Sequence, residues 1–431
     1  MIREVGRAER ASFEEIAMLS MEFGRLLMES GASARVVEDI VTRTALGLGA
    51  KRVDLRIGYA SLAITVGIGG EGITRMRKVG PLGVNQRLDQ AVRQLAARVR
   101  RAELTAPAAR EELNRLVKET ARHPGWFVDV AVGVACASFG RLLGVDWLAV
   151  GPVFLAAVAG QWLRRQLARR RVNVFIAATL VAFAASALSG LGARLAGSLT
   201  VETAMTAAVL LLVPGVPCLN AQNDILDGRP TLGSARAVWV GVILVFLTVG
   251  VWLGQMMVRP NDAGGGALTM NLLAYLAHQM VFGGLAAMGF GVLFNIGPRA
   301  LLWCGASGGL ALGVRSIGLS LGWSLEAASF AAALAVGSVV QLIQERIGVS
   351  RNTLDVAGVI PMVPGGFATK AILGLFALTV PSPEAANQTL ITSVENSLRV
   401  MFTIGAMGTG LAIPSLLLRG RRSRLGKTPA R

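Results

Sequence analysis

Histidine, cysteine and tyrosine are scarce in this 431-residue chain, which holds two, three and two of them. With only His123 and His278 available, a histidine-based metal centre or a Ser/His/Asp triad has almost nothing to be built from. Cys136, Cys218 and Cys304 lie singly inside apolar runs without a CxxC pair, so they read as packing residues. Charge is also sparse, at 16% of residues against 53% hydrophobic ones and a mean hydropathy of +0.56. That balance excludes an ordinary soluble globule and points to a membrane class. The opening MIREVGRAERASFEE has neither the apolar core nor the small-residue cleavage pattern of a secretory leader, so the N-terminus is expected in the cytoplasm.

What is present is divided unevenly. Residues 1–122 are rich in Arg and Glu, and from Trp126 onward the chain is a series of long apolar runs. A spanning helix needs about 20 mainly apolar residues, and ten segments qualify: 126–143, 147–163, 172–191, 201–227, 237–257, 272–294, 299–315, 327–344, 354–380 and 397–418. With residues 1–122 inside, the cytoplasmic connections and tail carry sixteen Lys/Arg, and the opposite segments carry three, Arg194, Arg259 and Arg315. This asymmetry fits a multi-pass protein of a bacterial inner membrane with both termini cytoplasmic. It also accounts for the net charge of +17 without a nucleic-acid partner.

The fourth and ninth segments are interrupted alike, in LLVPGVPCLNAQNDILDG and IPMVPGGFATKAILGL. Each is fourth in a group of five, and five is odd, so the second group crosses the membrane in the opposite sense. The fold expected is therefore a polytopic α-helical membrane protein of about ten transmembrane helices, an inverted 5+5 repeat, behind an N-terminal cytosolic α+β domain. The boundaries are 1–122 for the cytosolic domain, 123–258 and 259–418 for the two membrane modules, and 419–431 for a basic tail.

Interrupted helices at matching places in inverted repeats mark a transporter's substrate site. Proline removes an N–H, and the break frees carbonyls before it and N–H groups after it, which suit a carboxylate. The candidate substrate residues are Pro214, Gly215, Pro217, Asn220, Asn223 and Asp224 at the first break, and Pro364, Gly365, Gly366 and Lys370 at the second. Asp129 and Asp224 are the acids expected to couple proton movement. Lys370 is open to a second reading, snorkelling to the interface. Tyr275, His278 and Gln279 share one side of the sixth segment, and a structural role is the more economical reading for the histidine. Gly305, Gly309 and Gly313 form a small-residue stripe suited to close helix packing.

In the N-terminal part, two helices broken at Ser30-Gly31 precede the strand-like runs VDLRIGY, SLAITVGI and GITRMRKV, and helices follow from about residue 84 to 121. The GxGxxG at Gly67–Gly72 lacks a following helix and a βαβ unit, so it reads as a hairpin turn. No catalytic set, cofactor or metal site is expected.

The segments LLMESGASARVVEDIVTRTALGLG, KVGPLGVNQRLDQ, VPGVPCLNAQNDILDG and GSARA, with the shorter VPG of the second half, resemble the threonine/serine exporter family over nearly the whole chain. The resemblance implies two modules fused in one chain and efflux of threonine and serine driven by membrane potential or a proton gradient. Family members made as two chains are linked to export of small dicarboxylates such as succinate, which is the alternative substrate class. A passive channel and a membrane-bound enzyme are the rival classes. The partners expected are a small polar metabolite and the bilayer, and a homo-oligomer is left open.

Overall fold

The computed structural model of the chain describes residues 2–68, 71–260, 270–347, 357–378 and 383–425. Two compact units emerge. The first comprises Met1–Arg122 with Asn220–Ala237 and Phe294–Ile296, and the second comprises His123–Leu219, Val238–Leu293 and Gly297–Arg431.

In the first unit, α1 (Ile2–Glu29) and α2 (Ala34–Gly47) precede an antiparallel sheet of β1 (Arg52–Ile57), β2 (Ser61–Ile68) and β3 (Glu71–Lys78), followed by α3 (Gln86–Arg100) and α4 (Ala106–Glu119). Gly31, at φ +91°, makes the left-handed turn between α1 and α2. The strands run in the order β1-β2-β3. In β2 the alternate residues Leu62, Ile64 and Val66 are buried, as a two-residue period requires when one face of a sheet covers a core. On the other face the Thr65 and Thr74 hydroxyls hydrogen-bond at 2.8 Å. Leu62, Ile64 and Val66 belong to one core with Phe23 and Leu27 of α1, Val37 and Val41 of α2, and Val92 and Val99 of α3. Gly67 pairs with Gly72 across β2 and β3, so the GxGxxG opens a hairpin. Its residues 69–70 lie outside the described residues.

The second unit contains α5 (Gly125–Leu142), α6 (Trp147–Arg169), α7 (Val174–Leu195), α8 (Val201–Ala207), a 3₁₀ turn (Leu210–Leu212) and the start of α9 (Gly215–Leu226). It continues through most of α10 (Pro230–Val258), α11 (Leu272–Leu293), α12 (Pro298–Ser320), α13 (Leu325–Ile347), a second 3₁₀ turn (Ile360–Met362), α14 (Gly365–Ala377) and α15 (Pro383–Leu425). Among the described residues seven helices, α5, α6, α7, α10, α11, α12 and α13, are long and apolar enough to cross a membrane. The pair Val201–Leu212 and Gly215–Leu226, bent by 59°, makes an eighth. Of the ninth expected span, 354–380, the described residues hold helical 357–359, a 3₁₀ turn and, after the Val-Pro-Gly break, the 13-residue α14, with 354–356 and 379–380 outside the described residues. The stretch expected as the tenth, 397–418, falls within α15, 43 residues long with Pro414 inside it, which is not one of the membrane-length apolar helices named above.

Outward-facing Leu195, Leu273, Leu302 and Leu342 leave these helices apolar on their outer faces as well, as lipid requires. Helix-to-helix contact runs on small residues. A side chain at Gly284 would begin 2.9 Å from the Gly305 carbonyl, and one at Gly308 would begin 2.7 Å from the Gly283 carbonyl. The backbones of α11 and α12 are thus closer than any Cβ would permit.

One difference in extent bears on the site. The seventh span was expected to end at Arg315, leaving that residue in an outer connection; α12 instead runs on to Ser320, and Arg315 stands inside a membrane-length helix.

Candidate functional site: a cavity between two broken helices

The two Val-Pro-Gly breaks have the same backbone construction. In the first, Val213 N–H donates to the Leu210 carbonyl at 3.2 Å, Gly215 N–H to Val213 at 2.8 Å and Cys218 N–H to Pro214 at 3.1 Å. In the second, Val363 donates to Ile360 at 2.9 Å, Gly365 to Val363 at 2.8 Å and Ala368 to Pro364 at 3.1 Å. A 3₁₀ turn therefore runs into a γ-turn centred on proline, and a new helix starts at the glycine. Pro364, at φ −78° and ψ 54°, sits near the inverse γ-turn minimum, which the fixed φ of proline favours.

The breaks meet. A Cβ on Gly215 would lie 3.6 Å from the Ile360 side chain and 3.8 Å from Val363, and one on Gly365 would lie 3.1 Å from Val213 and 3.4 Å from Leu210. Beside this crossing is a cavity of about 340 Å³ whose wall includes Gly215, Pro364, Gly365, Gly366, Phe367 and Lys370. Among the described residues the N–H groups of Gly366 and Phe367 have no acceptor, as is normal for the first turn of a helix. Both residues face the cavity, so their N–H groups and the positive end of the α14 dipole are available to a solute anion.

Three charged side chains complete the wall: Arg315 from α12, Lys370 from α14 and Glu202 from α8. Arg315 Nη1 donates to the Met362 carbonyl at 3.3 Å, one of the acceptors freed by the second break. Lys370 has no ion-pair partner among the described residues and is exposed. Tyr275 and Gln279, one helical turn apart on α11, present a hydroxyl and an amide to the same space, with Thr203 and Thr206 of α8. His278 instead packs its ring 4.6 Å from that of Phe282.

The candidates named from sequence thus divide. Gly215, Pro364, Gly365, Gly366 and Lys370 line the cavity. Pro214 and Pro217 shape the first break without lining it. Asn220, Asn223 and Asp224 belong to the first unit. There the Asn220 amide donates to the Gly31 carbonyl at 3.1 Å. Asp224, 0% exposed, accepts from Arg236 at 2.5 Å and from Ala34 N–H at 3.3 Å. Flanking pairs join Arg35 to Asp227 at 2.8 Å and Arg229 to Glu38. Asp129 is buried in an ion pair with Arg165, whose Nε donates at 2.9 Å. Sequence reasoning passed over Glu202 and Arg315 as site residues. The signal for both was present as a lone charge inside or beside an apolar run.

Fold and site together define a polytopic helical membrane protein with a cavity, largely apolar but bearing a few charged and polar groups, beside the crossing of two broken helices, the architecture of a transporter. A family model described as "Putative threonine/serine exporter" matches residues 18–258, and a second, "Threonine/Serine exporter, ThrE", matches residues 279–417. The chain belongs to the threonine/serine exporter family, whose members are membrane exporters rather than enzymes. It is similar to "Probable succinate transporter subunit YjjP" of Escherichia coli K12, 30% identical over 237 residues, which covers 55% of this chain and 92% of that protein. The protein of the same description from Klebsiella aerogenes is 28% identical over 252 residues, 58% of this chain and 97% of the relative. No solved structure matches the chain.

Proposed function

We propose that the protein is a secondary exporter of threonine and serine, which carries them out of the cytoplasm by alternating access from the cavity between the two broken helices. The observation that carries this reading is the charge pattern of that cavity: Arg315, Lys370 and the free N–H groups of Gly366 and Phe367 stand with one carboxylate, Glu202. A zwitterion matches it, with the substrate carboxylate at the cations and helix N-terminus and the ammonium at Glu202. Tyr275, Gln279 and the α8 threonines suit the substrate hydroxyl. The substrate residues are then Gly215, Pro364, Gly365, Gly366 and Lys370, joined by Arg315 and Glu202. Glu202 is the acid on the cavity wall, whereas Asp129 and Asp224, the acids expected to couple proton movement, do not line it and are each in an ion pair.

The matched construction of the two breaks supports an inverted 5+5 repeat. In that topology both termini, residues 1–122 and the basic tail are cytoplasmic, in a bacterial inner membrane. Export is driven by a proton gradient or the membrane potential, an antiport in which the amino acid leaves as protons enter.

A second reading, export of a small dicarboxylate such as succinate, is favoured by one observation: the cavity holds two cations, where sequence alone pointed to Lys370. Two carboxylates would occupy Arg315 and Lys370. Inverted vesicles containing the protein, offered labelled threonine, serine and succinate with and without an imposed proton gradient, separate these readings. Gradient-dependent accumulation of threonine and serine is expected. Accumulation of succinate alone would establish the second reading, and equilibration without uphill movement would make the protein a channel.

A further inference from the structure

A second cavity, of about 630 Å³ and wide open at the surface, belongs to the same unit. Trp323 and Glu326 line it from the α12–α13 corner, and Glu395, Leu398, Arg399 and Phe402 line it from α15. Two residues line both cavities, Leu319 in the last turns of α12 and Phe367 in the first turn of α14. The chambers differ in charge. The central one presents two cations, Arg315 and Lys370, with one acid, Glu202, whereas the other presents two acids, Glu326 and Glu395, with one cation, Arg399, paired to Glu395 at 2.8 Å. Between them the two shared side chains are hydrocarbon and offer a charged solute nothing in exchange for its water, which is how apolar constrictions close a path.

We propose that Leu319 and Phe367 are the outer gate of the translocation path and that the second cavity is the vestibule into which substrate is released. The proposal rests on the exporter reading and extends it to residues that decide access rather than bind. Phe367 is the mobile half. It stands three residues beyond Pro364, so a tilt of α14 at the break carries its ring, and its own N–H is one of those open to the substrate carboxylate. Leu319 stands four residues beyond Arg315 on α12, a helix pressed against α11 by glycine contacts, and is the fixed half. Occupancy at Arg315 and Lys370 is therefore felt at the segment that bears the gate. Glu326 and Glu395 disfavour a carboxylate that has passed, which promotes its departure.

The test is thiol accessibility in the full-length protein with Cys136, Cys218 and Cys304 replaced by alanine. A membrane-impermeant methanethiosulfonate is added to intact cells bearing Glu326→Cys, on the vestibule side, or Thr203→Cys, on the central side. The Glu326→Cys thiol is expected to react readily. The Thr203→Cys thiol is expected to react at least ten-fold more slowly, and its rate should rise by a similar factor when combined with Phe367→Ala. Leu319→Ala supplies the same comparison where Phe367→Ala lowers the amount of protein in the membrane. Equal rates for the two thiols, no acceleration by either alanine variant, or an unreactive Glu326→Cys would overturn the proposal. Labelling needs no transport, so a wild-type protein that moves none of the three substrates would sink the exporter reading and leave the gate to be judged separately.

Discussion

At the scale of single residues, the charges in and near the membrane unit divide into those that are satisfied and those that are offered. Arg315 satisfies one carbonyl with one nitrogen, which leaves most of its donor fork to a ligand. Replacing it with alanine removes a charge-assisted hydrogen bond of about 1.5–3 kcal/mol, so export measured at matched protein levels should fall roughly 10- to 100-fold. Arg315→Lys, which keeps the charge and loses the fork, should fall between. Asp224 is the opposite case. Both of its oxygens are engaged in the first unit, and its partner Arg236 is 2% exposed. Asp224→Asn strands a buried cation and should cost about 3–5 kcal/mol of stability, seen as a lower melting temperature in detergent. The pair Asp224→Leu with Arg236→Met should recover much of it. A fully stable Asp224→Asn protein that no longer exports would return Asp224 to the transport cycle.

These residues also mark how far the sequence could be read. Lys370 and the glycines of the second break were legible because a charge and a backbone break in an apolar run are anomalies that lipid does not tolerate without cause. Asn220 and Asp224 look equally anomalous. Their partners Gly31, Ala34 and Arg236 lie about 190 residues upstream or twelve downstream, and nothing local to the motif says which of them it will meet. Arg315 was misjudged for a plainer reason, since hydropathy falls at a charge whether or not the helix ends there.

At the scale of elements, proline and glycine do opposite work in the same chain. Val-Pro-Gly opens the backbone at the two breaks, and glycine elsewhere closes the distance between helices. Gly308→Leu would put a branched side chain where a Cβ already meets the Gly283 carbonyl at 2.7 Å. Overpacking of this kind costs about 1–3 kcal/mol, so the variant should melt several degrees lower and, if α12 is displaced, lose export as well.

A third element-scale device is the corner before α6. Asp146 caps that helix by accepting from Ala149 N–H at 3.0 Å, and it holds the segment after α7 through the Ser198 hydroxyl at 2.8 Å and Leu199 N–H at 2.9 Å. Burial alone would raise its pKa, but these hydrogen bonds outweigh burial and hold the carboxyl below its ordinary value. A carboxyl depressed in the folded state stabilises fully above its unfolded value, about 3.9, and that contribution is lost as pH falls through the lower folded value. Melting temperature should therefore decline as pH drops below about 4, and Asp146→Asn should flatten that part of the profile while lowering stability at neutral pH.

At the scale of the whole molecule, the two halves of the membrane unit line one cavity. The first break contributes Gly215 and the second contributes Gly365, Gly366 and Lys370, while Val213 and Ile360 pack across the crossing. The relatives named as transporter subunits cover 55% and 58% of this chain, which leaves the second half to a separate family model. Severing the chain between residues 262 and 263 and co-expressing the pieces should restore export, because the halves associate through buried surface rather than through their connection. Neither piece alone should transport, which vesicle uptake would establish directly. Recovery of full activity from residues 1–262 alone would refute a shared cavity.

What the sequence determined by itself was everything governed by local solvent preference: a charged N-terminal part, long apolar helices and two breaks of identical spelling. Hydropathy and proline act within a few residues of themselves, so they can be read in line. What only the tertiary structure decided was which polar groups share a space. It brought Arg315, Glu202 and Lys370 from three helices to one cavity and engaged Asn220 and Asp224 elsewhere. A polar side chain buried in protein must find a partner, and among residues far apart in the chain the packing alone selects it.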